Sequence, residues 1–343
     1  MSLLSQLVPE MHELMPIRLS IMKAIQRQQP VGRRQLASLT GLSERDIRRE
    51  CEILRESGVL EFLSQGMTLL PDGERILRLL GSQSNSALEM QEALKHQLGI
   101  RRVIVVRDAG DALKTLTEIG KSAATRLRTL VRETGATVIG LTGGHSIERV
   151  VAGYKENNVA LPGERLVVSA RGGLGHSYEM QANTLVERLA SKMDAQYVTL
   201  LSQDNLSAES IERLKQEPAI KRALEQIHRI DVLVFGIGRA DVMANRRELE
   251  PAQIDSILAK GAVAEAFGYY FDEEGNIVHE ISTIGIDLST YQSLPHAIAV
   301  AGGKEKADAI RAVATLNPNM ELITDETAAQ EILNKIKGLR KAE

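Results

Sequence analysis

The sequence predicts an α/β protein in two parts, a small winged helix-turn-helix module followed by a larger Rossmann-like domain. The first part is indicated by residues 17–70, where three helical patterns precede two short apolar runs. The second is indicated by the remaining chain, where apolar runs alternate with helical patterns, as in a mainly parallel sheet covered on both faces. A chain of 343 residues is also long for one core, which favours two domains.

The composition excludes several classes of protein. Hydrophobic residues make up 43% and charged residues 25% of the chain, as in an ordinary soluble globular protein. Cys51 is the only cysteine, so we expect no internal disulfide and no metal site. No apolar run approaches the roughly 18 residues of a membrane helix, and the first residues lack the basic leader of a signal peptide. We therefore expect a cytoplasmic protein without a cofactor.

The elements of the first module follow from its apolar spacing and turn residues. An amphipathic helix at residues 3–15, limited by Pro9 and Pro16, either packs on its own domain or forms a dimer contact. Ser43 and Asp46 have the form of a capping box at the start of the third helix. The predicted elements are a helix ending near Pro30, a helix at residues 33–39, a turn at 40–42, a helix from Ser43 to Gly58, and a hairpin of residues 59–63 and 67–70.

The third helix carries much of the positive charge of this module. Between Arg18 and Arg55 there are nine basic and four acidic residues, in a chain whose formal net charge is −3. An excess of five positive charges suits contacts with DNA phosphates, and the alternative is the solvated face of a structural helical hairpin. We expect double-stranded operator DNA as a partner, bound by Arg33, Arg34, Ser43, Glu44, Arg45, Arg48 and Arg49.

A polar segment separates the two parts. Residues 81–86, GSQSNS, are small and polar, as in a linker. The sequence therefore predicts a DNA-binding domain at residues 1–86 and a second domain at residues 87–343, which begins with a helix at residues 87–98.

The second domain reads as alternating strands and helices. A β-hairpin of residues 267–271 and 277–282 interrupts the alternation. Strands are predicted at residues 103–106, 137–141, 165–170, 197–201, 232–235, 297–300 and 322–324. Helices are predicted at residues 111–132, 146–154, 182–192 and 304–314.

Four glycine-bearing turns follow predicted strands, at Gly143-Gly144 and at residues 171–175, 236–239 and 301–306. A strand that turns through glycines into a helix presents free N–H groups and the positive end of the helix dipole, which suits an anion; a plain tight turn is the alternative. Carboxyl ends of parallel strands share one edge, so the turns converge. Arg171, Arg246 and Lys306 are candidate counter-charges there, and Glu265 is a candidate for a hydroxyl contact.

Other ligand classes fit less well. The segment Gly236-Ile237-Gly238 lacks the third glycine of a dinucleotide fingerprint, and no Walker-type phosphate loop or GxSxG elbow occurs. His145 and His176 have no partner at the spacing of metal ligands.

Specific segments carry a family resemblance. The helix-turn-helix start followed by TGGHSIE, SARGGLG, MQANT, MANRR, EAFGYYFDEEG and AVAGGKEKADAI resembles the SorC family of bacterial transcriptional regulators, and within it the regulators of glycolytic genes in Gram-positive bacteria, over nearly the whole chain. The resemblance implies a repressor of a glycolytic operon, induced by fructose 1,6-bisphosphate, with an effector domain similar to sugar-phosphate isomerases and deaminases. Winged modules usually read two half-sites, so we expect a homodimer, and the resemblance implies that dimers associate into a tetramer on DNA.

The resemblance also implies which residues bind the sugar phosphate. One phosphate would be held by Gly143, Gly144, His145 and Ser146, with Arg171 and Lys306 nearby. The remaining contacts would come from Gln181, Arg246 and Glu265. At His145 the family usually has a hydroxyl residue, so here only the backbone N–H contact is kept. The rival hypotheses are a sugar-phosphate isomerase or deaminase with Glu265 or His176 as its base, and a sugar-binding or nucleotide-binding scaffold without DNA.

Overall fold

The computed structural model describes residues 11–77, 82–155, 163–172, 178–202 and 207–342. Contacts between residues divide the chain into two compact units, Met1–Glu89 and Met90–Glu343, where the sequence predicted a division after residue 86. No helix of the described ranges is both long enough and apolar enough to cross a membrane.

The first unit has the predicted order of a winged helix-turn-helix. Its elements are α1 (Met11–Gln28), α2 (Arg33–Thr40), α3 (Glu44–Glu56), β1 (Leu60–Leu63), β2 (Gly66–Leu69) and α4 (Pro71–Ile76). The turn between α2 and α3 contains Gly41 in the left-handed region, with φ of 70°. Ser43 caps α3, because its Oγ accepts the N–H of Asp46 at 3.2 Å. Strands β1 and β2 form the antiparallel wing.

The core of the first unit is formed by the apolar faces of its three long helices. Ile21 and Ile25 of α1 belong to one buried cluster with Leu36 of α2 and with Ile47 and Cys51 of α3. The spacing of Ile47, Cys51 and Leu54 therefore fixes which face of α3 is buried and leaves its arginines outside. Burial of this apolar surface is the main stabilising contribution to the unit.

Two predictions about helix limits differ from the structure. Helix α1 runs through Pro16, where the sequence predicted a change of element; residues 3–10 of the predicted first helix lie outside the described residues. The linker prediction is wrong for residues 82–86, because helix α5 spans Ser82–Leu98. Serine and asparagine disfavour a helix by only about 0.5 kcal/mol each, and the stronger helix formers after residue 86 propagate the helix backwards.

The second unit is built on a seven-stranded sheet in the order β3-β13-β12-β7-β4-β5-β6, with every neighbouring pair parallel. Its strands are β3 (Arg102–Val106), β4 (Val138–Leu141), β5 (Leu166–Ser169), β6 (Gln196–Val198), β7 (Val232–Gly236), β12 (Ala297–Val300) and β13 (Met320–Asp325). All seven predicted strands are present. The chain moves outward from β4 to β5 and β6 and then returns to β7 on the other side of β4, so the order reverses between β4 and β7.

Helices cover both faces of this sheet. The helices after α5 are α6 (Ala112–Thr134), α7 (His145–Gly153), α8 (Ala182–Met193), α9 (Ala208–Gln216), α10 (Pro218–Ile227), α11 (Ala240–Arg246), α12 (Pro251–Ala259), α13 (Leu288–Ser293), α14 (Ala307–Ala314) and α15 (Glu326–Ala342). Of these, α11 and α12 pack in a separate apolar cluster, away from the seven-stranded sheet. One apolar cluster joins the sheet to α6, α7 and α8, and a second joins it to α5, α10, α14 and α15. The predicted doubly covered α/β domain is confirmed.

A second, smaller sheet is inserted between β7 and β12. It is antiparallel, in the order β11-β10-β9-β8, and contains β8 (Gly238–Arg239), β9 (Ala264–Ala266), β10 (Tyr269–Phe271) and β11 (Ile277–Glu280). The predicted hairpin corresponds to β10 and β11. The two further strands, β8 and β9, pair with each other, so that Gly238 lies opposite Glu265 and Arg239 lies opposite Ala264. The hairpin pattern in the sequence does not predict this pairing.

Helices α6 and α7 approach closely at Gly120, and this generates a prediction about stability. A Cβ on Gly120 would lie 2.5 Å from the backbone carbonyl carbon and oxygen of Arg149, so Gly120→Ala should push the two helices apart. We expect a loss of about 1–3 kcal/mol in the free energy of unfolding, measured by urea denaturation.

The matched control is Gly338→Ala in α15, where no described atom lies within 4 Å of the added Cβ. This variant should gain up to about 1 kcal/mol from helix propensity. Equal stability of the two variants would show that the approach of α6 to α7 is not constrained by Gly120.

Candidate functional site

A cavity of about 520 Å³ opens at the carboxyl ends of β4, β5 and β7. Residues 142–146 follow β4, Arg171 follows β5, and Gly236 ends β7. The cavity therefore lies where the strand order reverses, which is the usual ligand position in open α/β sheets. Its volume falls in the range of small-molecule sites.

The structure brings all the predicted ligand-binding residues to this one cavity. Those residues are Gly143, Gly144, His145, Ser146, Arg171, Gln181, Arg246, Glu265 and Lys306. Further lining residues were not among the predicted ones, notably Thr142, Met180, Arg239, Met243, Arg247 and Phe267. Arg247 could have been found from the sequence, because Ala240, Ala244 and Arg247 recur at the spacing of a buried helical face.

The start of α7 forms one wall of the cavity. Gly144 is its N-cap, with φ of 110° and no side-chain cap, so the first amides of the helix, those of His145 and Ser146, have no intrahelical acceptor. The N–H of Gly144 is already used, because it donates to Met180 O at 2.8 Å. The amide of Gly144, which the sequence predicted to face an anion, therefore already has a hydrogen-bond acceptor within the protein. Gly143 has to be glycine, since a Cβ there would lie 2.8 Å from the same Met180 oxygen.

A second helix start lies at the same cavity. Helix α8 begins at Ala182, and its N-cap residue Gln181 makes no side-chain cap; both residues line the cavity. Two helices of nine and twelve residues thus present the positive ends of their dipoles to one space. That arrangement can stabilise two separate negative charges.

Cationic side chains outnumber acidic ones around this space. The charged lining residues are Arg171, Arg239, Arg246, Arg247, Lys306, Glu265 and Glu305. Arg246 is exposed and makes no ion pair with the described residues, whereas Arg239 is paired with Asp241, with Nε 3.0 Å from Oδ1. The surplus of positive charge favours an anionic ligand.

Lys306 is more buried than Arg246, and neither of these two cavity cations has an ion pair with the described residues. Its Nζ donates to Ile237 O at 2.9 Å. Burial lowers the pKa of Lys306, Arg246 and Arg239 lower it further, and the carboxylate of Glu305 offsets only part of this. An anion beside Nζ would reverse the shift.

His145 has a lowered pKa for similar reasons. Burial is the largest cause, and the positive charges of Arg246, Arg149 and Lys306 act in the same direction, against Glu148. The imidazole therefore favours its neutral form in the unliganded cavity, and a bound anion would favour the charged form.

Glu265 is the centre of a buried ion network. It is 4% exposed, and its Oε1 accepts from Arg247 Nη2 at 2.7 Å, from Arg171 Nη1 at 3.2 Å and from the N–H of Gly268 at 2.8 Å. Burial acts to raise the pKa of this carboxyl, but the two guanidinium groups lower it overall. Arg171 thus shares one carboxylate with Arg247, which leaves a net positive charge on the network, and Glu265 Oε1 already accepts three hydrogen bonds.

The predicted DNA-binding residues lie on the surface of the first unit. Arg33 and Arg34 open α2, and Arg45, Arg48 and Arg49 are exposed on α3. Ser43 and Glu44 begin α3, where the Ser43 hydroxyl is used as the cap, and Arg34 Nε lies 3.7 Å from Glu44 Oε1. His176, a candidate base, lies outside the described residues, and no cluster of three or more potential metal ligands occurs among those described.

The ion network generates a prediction about stability and its pH dependence. Glu265→Gln leaves two buried guanidinium groups without their counter-charge, so we expect a loss of about 3–5 kcal/mol in unfolding free energy at neutral pH. Since the folded-state pKa of Glu265 is lowered, its contribution is present above the unfolded pKa and is lost as pH falls through the folded value. Urea denaturation should show a larger difference between variant and wild type at pH 7 than at pH 3, and the difference should shrink as pH falls below the unfolded pKa of a glutamate. A variant as stable as the wild type at pH 7 would show that the network is dispensable.

Comparisons with known proteins agree with this architecture. The family description "CggR N-terminal DNA binding domain" matches residues 14–83, and "Putative sugar-binding domain" matches residues 82–334. The central glycolytic genes regulators of Bacillus subtilis and Priestia megaterium are 34% and 36% identical over 332 residues, covering 96% of this chain and 96% of each relative.

Solved structures show the same relationship. A SorC family transcriptional regulator from Enterococcus faecalis is 36% identical, with a TM-score of 0.64 over 71% of this chain and 99% of that chain. The full-length sorbitol operon regulator SorC from Klebsiella pneumoniae shares the fold at 19% identity, with a TM-score of 0.67 over 92% of this chain and 98% of that chain. With its DNA-binding and sugar-binding domains, the chain therefore belongs to the SorC family of transcriptional regulators and, within it, to the central glycolytic genes regulators.

Proposed function

We propose that this protein is a repressor of glycolytic genes whose inducer is fructose 1,6-bisphosphate. The observation that carries the proposal is the cavity at the strand reversal, where the starts of α7 and α8 meet a surplus of cations. The names of the two relatives supply the glycolytic context. DNA is contacted by Arg33, Arg34, Ser43, Glu44, Arg45, Arg48 and Arg49.

Two anion positions favour a bisphosphate over a monophosphate. One phosphate binds the amides of His145 and Ser146, beside Lys306 and Arg246. The second binds at the start of α8, where Gln181 supplies a neutral hydrogen-bonding side chain. Gly143, Gly144 and the network of Arg171 with Glu265 shape the walls between the two.

Induction requires that the sugar bind one state of the repressor better than the other. We propose a homodimer that reads two half-sites and associates into a tetramer on the operator, with the bisphosphate favouring the state that leaves DNA. Neither a cofactor nor a metal takes part.

A sensor is favoured over an enzyme by the state of Glu265. Three donors bind its Oε1, and its pKa is lowered, so it is a weak base for abstracting a proton from a sugar carbon. A panel of hexose and triose phosphates should be bound without conversion, and turnover of any of them would support the isomerase or deaminase alternative.

The direct test is a mobility-shift titration of operator DNA with the full chain. Fructose 1,6-bisphosphate should lower operator affinity or cooperativity, whereas fructose 6-phosphate should do so only at higher concentration because it occupies one anion position. No effect of the bisphosphate at millimolar concentration would contradict the proposed inducer.

Sugar binding should be coupled to proton uptake. Burial and neighbouring cations lower the pKa of Lys306 and of His145 in the free cavity, and a bound phosphate raises both, so binding takes up protons wherever the pH lies between the free and the bound pKa of either group. Affinity should therefore fall as pH rises through those intervals, and above about pH 7 the sugar phosphate itself, with a second pKa of about 6, no longer contributes to the change. Calorimetry in buffers of different ionisation enthalpy measures the uptake.

The control for proton uptake is Lys306→Arg. Arginine stays charged at every pH tested, so this variant should bind with less proton uptake and a flatter pH profile. Proton uptake equal to that of the wild type would exclude Lys306 as its source.

The two proposed sites should be separable by substitution. Arg48→Ala removes an exposed cation from α3 and should weaken operator binding about tenfold while sugar affinity is unchanged. Arg246→Ala should weaken sugar binding about tenfold while the unliganded protein binds the operator normally. Mobility shifts and calorimetry measure the two affinities; a reversed pattern would contradict both assignments.

A further inference from the structure

Helix α3 contains a carboxylate in its buried face. Glu50 is 1% exposed and lies among Ile47, Cys51 and Leu54, which belong to the core of the first unit. A charge in such a position has to be compensated, because transfer of an unpaired carboxylate from water is strongly unfavourable. Two arginines, Arg18 and Arg49, compensate the negative charge of Glu50.

Each carboxylate oxygen of Glu50 accepts a hydrogen bond from a different arginine, one on α3 itself and one on α1. Oε1 accepts from Arg49 Nε at 2.9 Å, and Oε2 accepts from Arg18 Nε of α1 at 2.8 Å. Burial acts to raise the pKa of Glu50, and the bonds from Arg18 and Arg49 lower it overall, so the carboxylate stays charged at neutral pH. Glu50 thus fixes one guanidinium group from each of two helices.

Both arginines bind through Nε, which leaves their terminal Nη groups available. No hydrogen bond of these Nη groups occurs within the described residues, and Asp46 Oδ1 lies 3.9 Å from Arg49 Nη2. The side chain of Arg49 is 62% exposed and that of Arg18 is 31% exposed. The terminal edge of a guanidinium group is well suited to phosphate oxygens.

A purely structural role explains only half of this arrangement. The bond to Arg18 ties α1 to α3, but the bond to the exposed Arg49 joins neighbouring residues of the same helix and adds no contact between elements. Its physical effect is to order the Arg49 side chain, which reduces the rotamer entropy that side chain would lose on binding a partner. In a helix-turn-helix, phosphate contacts set the position of the recognition helix on the duplex.

We propose that Arg18 and Arg49 form a clamp for a DNA backbone phosphate, and that Glu50 is the positioning residue that holds both guanidinium groups. The proposal rests on the DNA-binding role of the first unit and adds Arg18, which no charge pattern on α3 indicates. A hydrogen-bonded guanidinium pair on one carboxylate keeps a net positive charge, so the clamp remains attractive to a phosphate.

The test compares two substitutions that change the charge of α3 equally. Glu50→Gln and Glu52→Gln each remove one negative charge; the side chain of Glu52 is 40% exposed and, among the described residues, pairs only with Arg55 at 3.0 Å. Charge alone predicts that both variants bind DNA more tightly. The clamp predicts that Glu52→Gln binds as well as the wild type or better, whereas Glu50→Gln binds about tenfold more weakly.

Salt dependence separates positioning from a general loss of stability. With the full chain, binding is measured to a mixed-sequence duplex and to an operator selected from random duplexes, over a range of salt concentrations. Loss of one phosphate contact should reduce the slope of log K against log[salt] by about 0.9 for Glu50→Gln on both duplexes. A structural role would lower the unfolding temperature but leave this slope unchanged.

Arg18→Met provides the second variant, because it leaves Glu50 bonded to Arg49. It should weaken binding about tenfold with the same change of slope, and it decides the question if Glu50→Gln fails to fold. In a double-mutant cycle the two substitutions should be less than additive. The clamp is overturned if Arg18→Met, or folded Glu50→Gln, binds both duplexes like Glu52→Gln at every salt concentration. A wild-type chain that binds neither duplex would instead contradict the DNA-binding role itself.

Discussion

The buried ion network of Glu265 with Arg171 and Arg247 is the constraint on which the sugar-binding unit depends. It joins the end of β5, the residue after α11 and the inserted sheet at a single carboxylate oxygen. Two cations and one anion are buried here, so the network is stable only while all three members are in place. Because these elements supply three walls of the cavity, the shape of the cavity is fixed by an interaction that need not touch the ligand.

This division of roles assigns the proposed attraction of anions mainly to groups other than the buried arginines, whose charge Glu265 compensates in part. The attraction comes from two helix starts and from Arg246 and Lys306, which form no ion pair with the described residues. In the free cavity burial lowers the pKa of Lys306, and repulsion from Arg246 and Arg239 lowers it further. An anionic ligand removes the repulsion, so binding energy and protonation are linked by electrostatics alone.

The sequence was sufficient for the main sheet and for the rim of the cavity, because both follow from local patterns. Short apolar runs between glycine turns mark buried parallel strands, and the geometry of such a sheet then places their carboxyl ends together. The ion network was beyond this reasoning, since Arg171 and Glu265 are 94 residues apart and pair through the fold. The hydrogen bond from the Gly144 N–H to the carbonyl of Met180 was equally beyond this reasoning. The local sequence pattern had predicted that this N–H is free to bind an anion. The helix at residues 82–86 was missed because small polar residues have only a weak preference against a helix. Composition therefore does not decide whether the helix extends through them. The binding roles of the lining residues stay predictions.

One chemical motif, a carboxylate that holds two arginines, occurs in both units with opposite consequences. Burial acts to raise the pKa of Glu50 and of Glu265, and the paired arginines lower both overall, so each network contributes stability that disappears as pH falls through the lowered folded-state value. The exposure of the arginines differs: Arg49 is 62% exposed, whereas the Arg247 side chain is 0% exposed. Arginines fixed at the surface can contact a polyanion outside the protein, whereas the arginines enclosed with Glu265 are not accessible to one. The ordered Arg49 on α3 is therefore suited to contact phosphates outside the protein. The enclosed arginines around Glu265 instead stabilise the shape of a cavity whose proposed ligand is attracted by other groups.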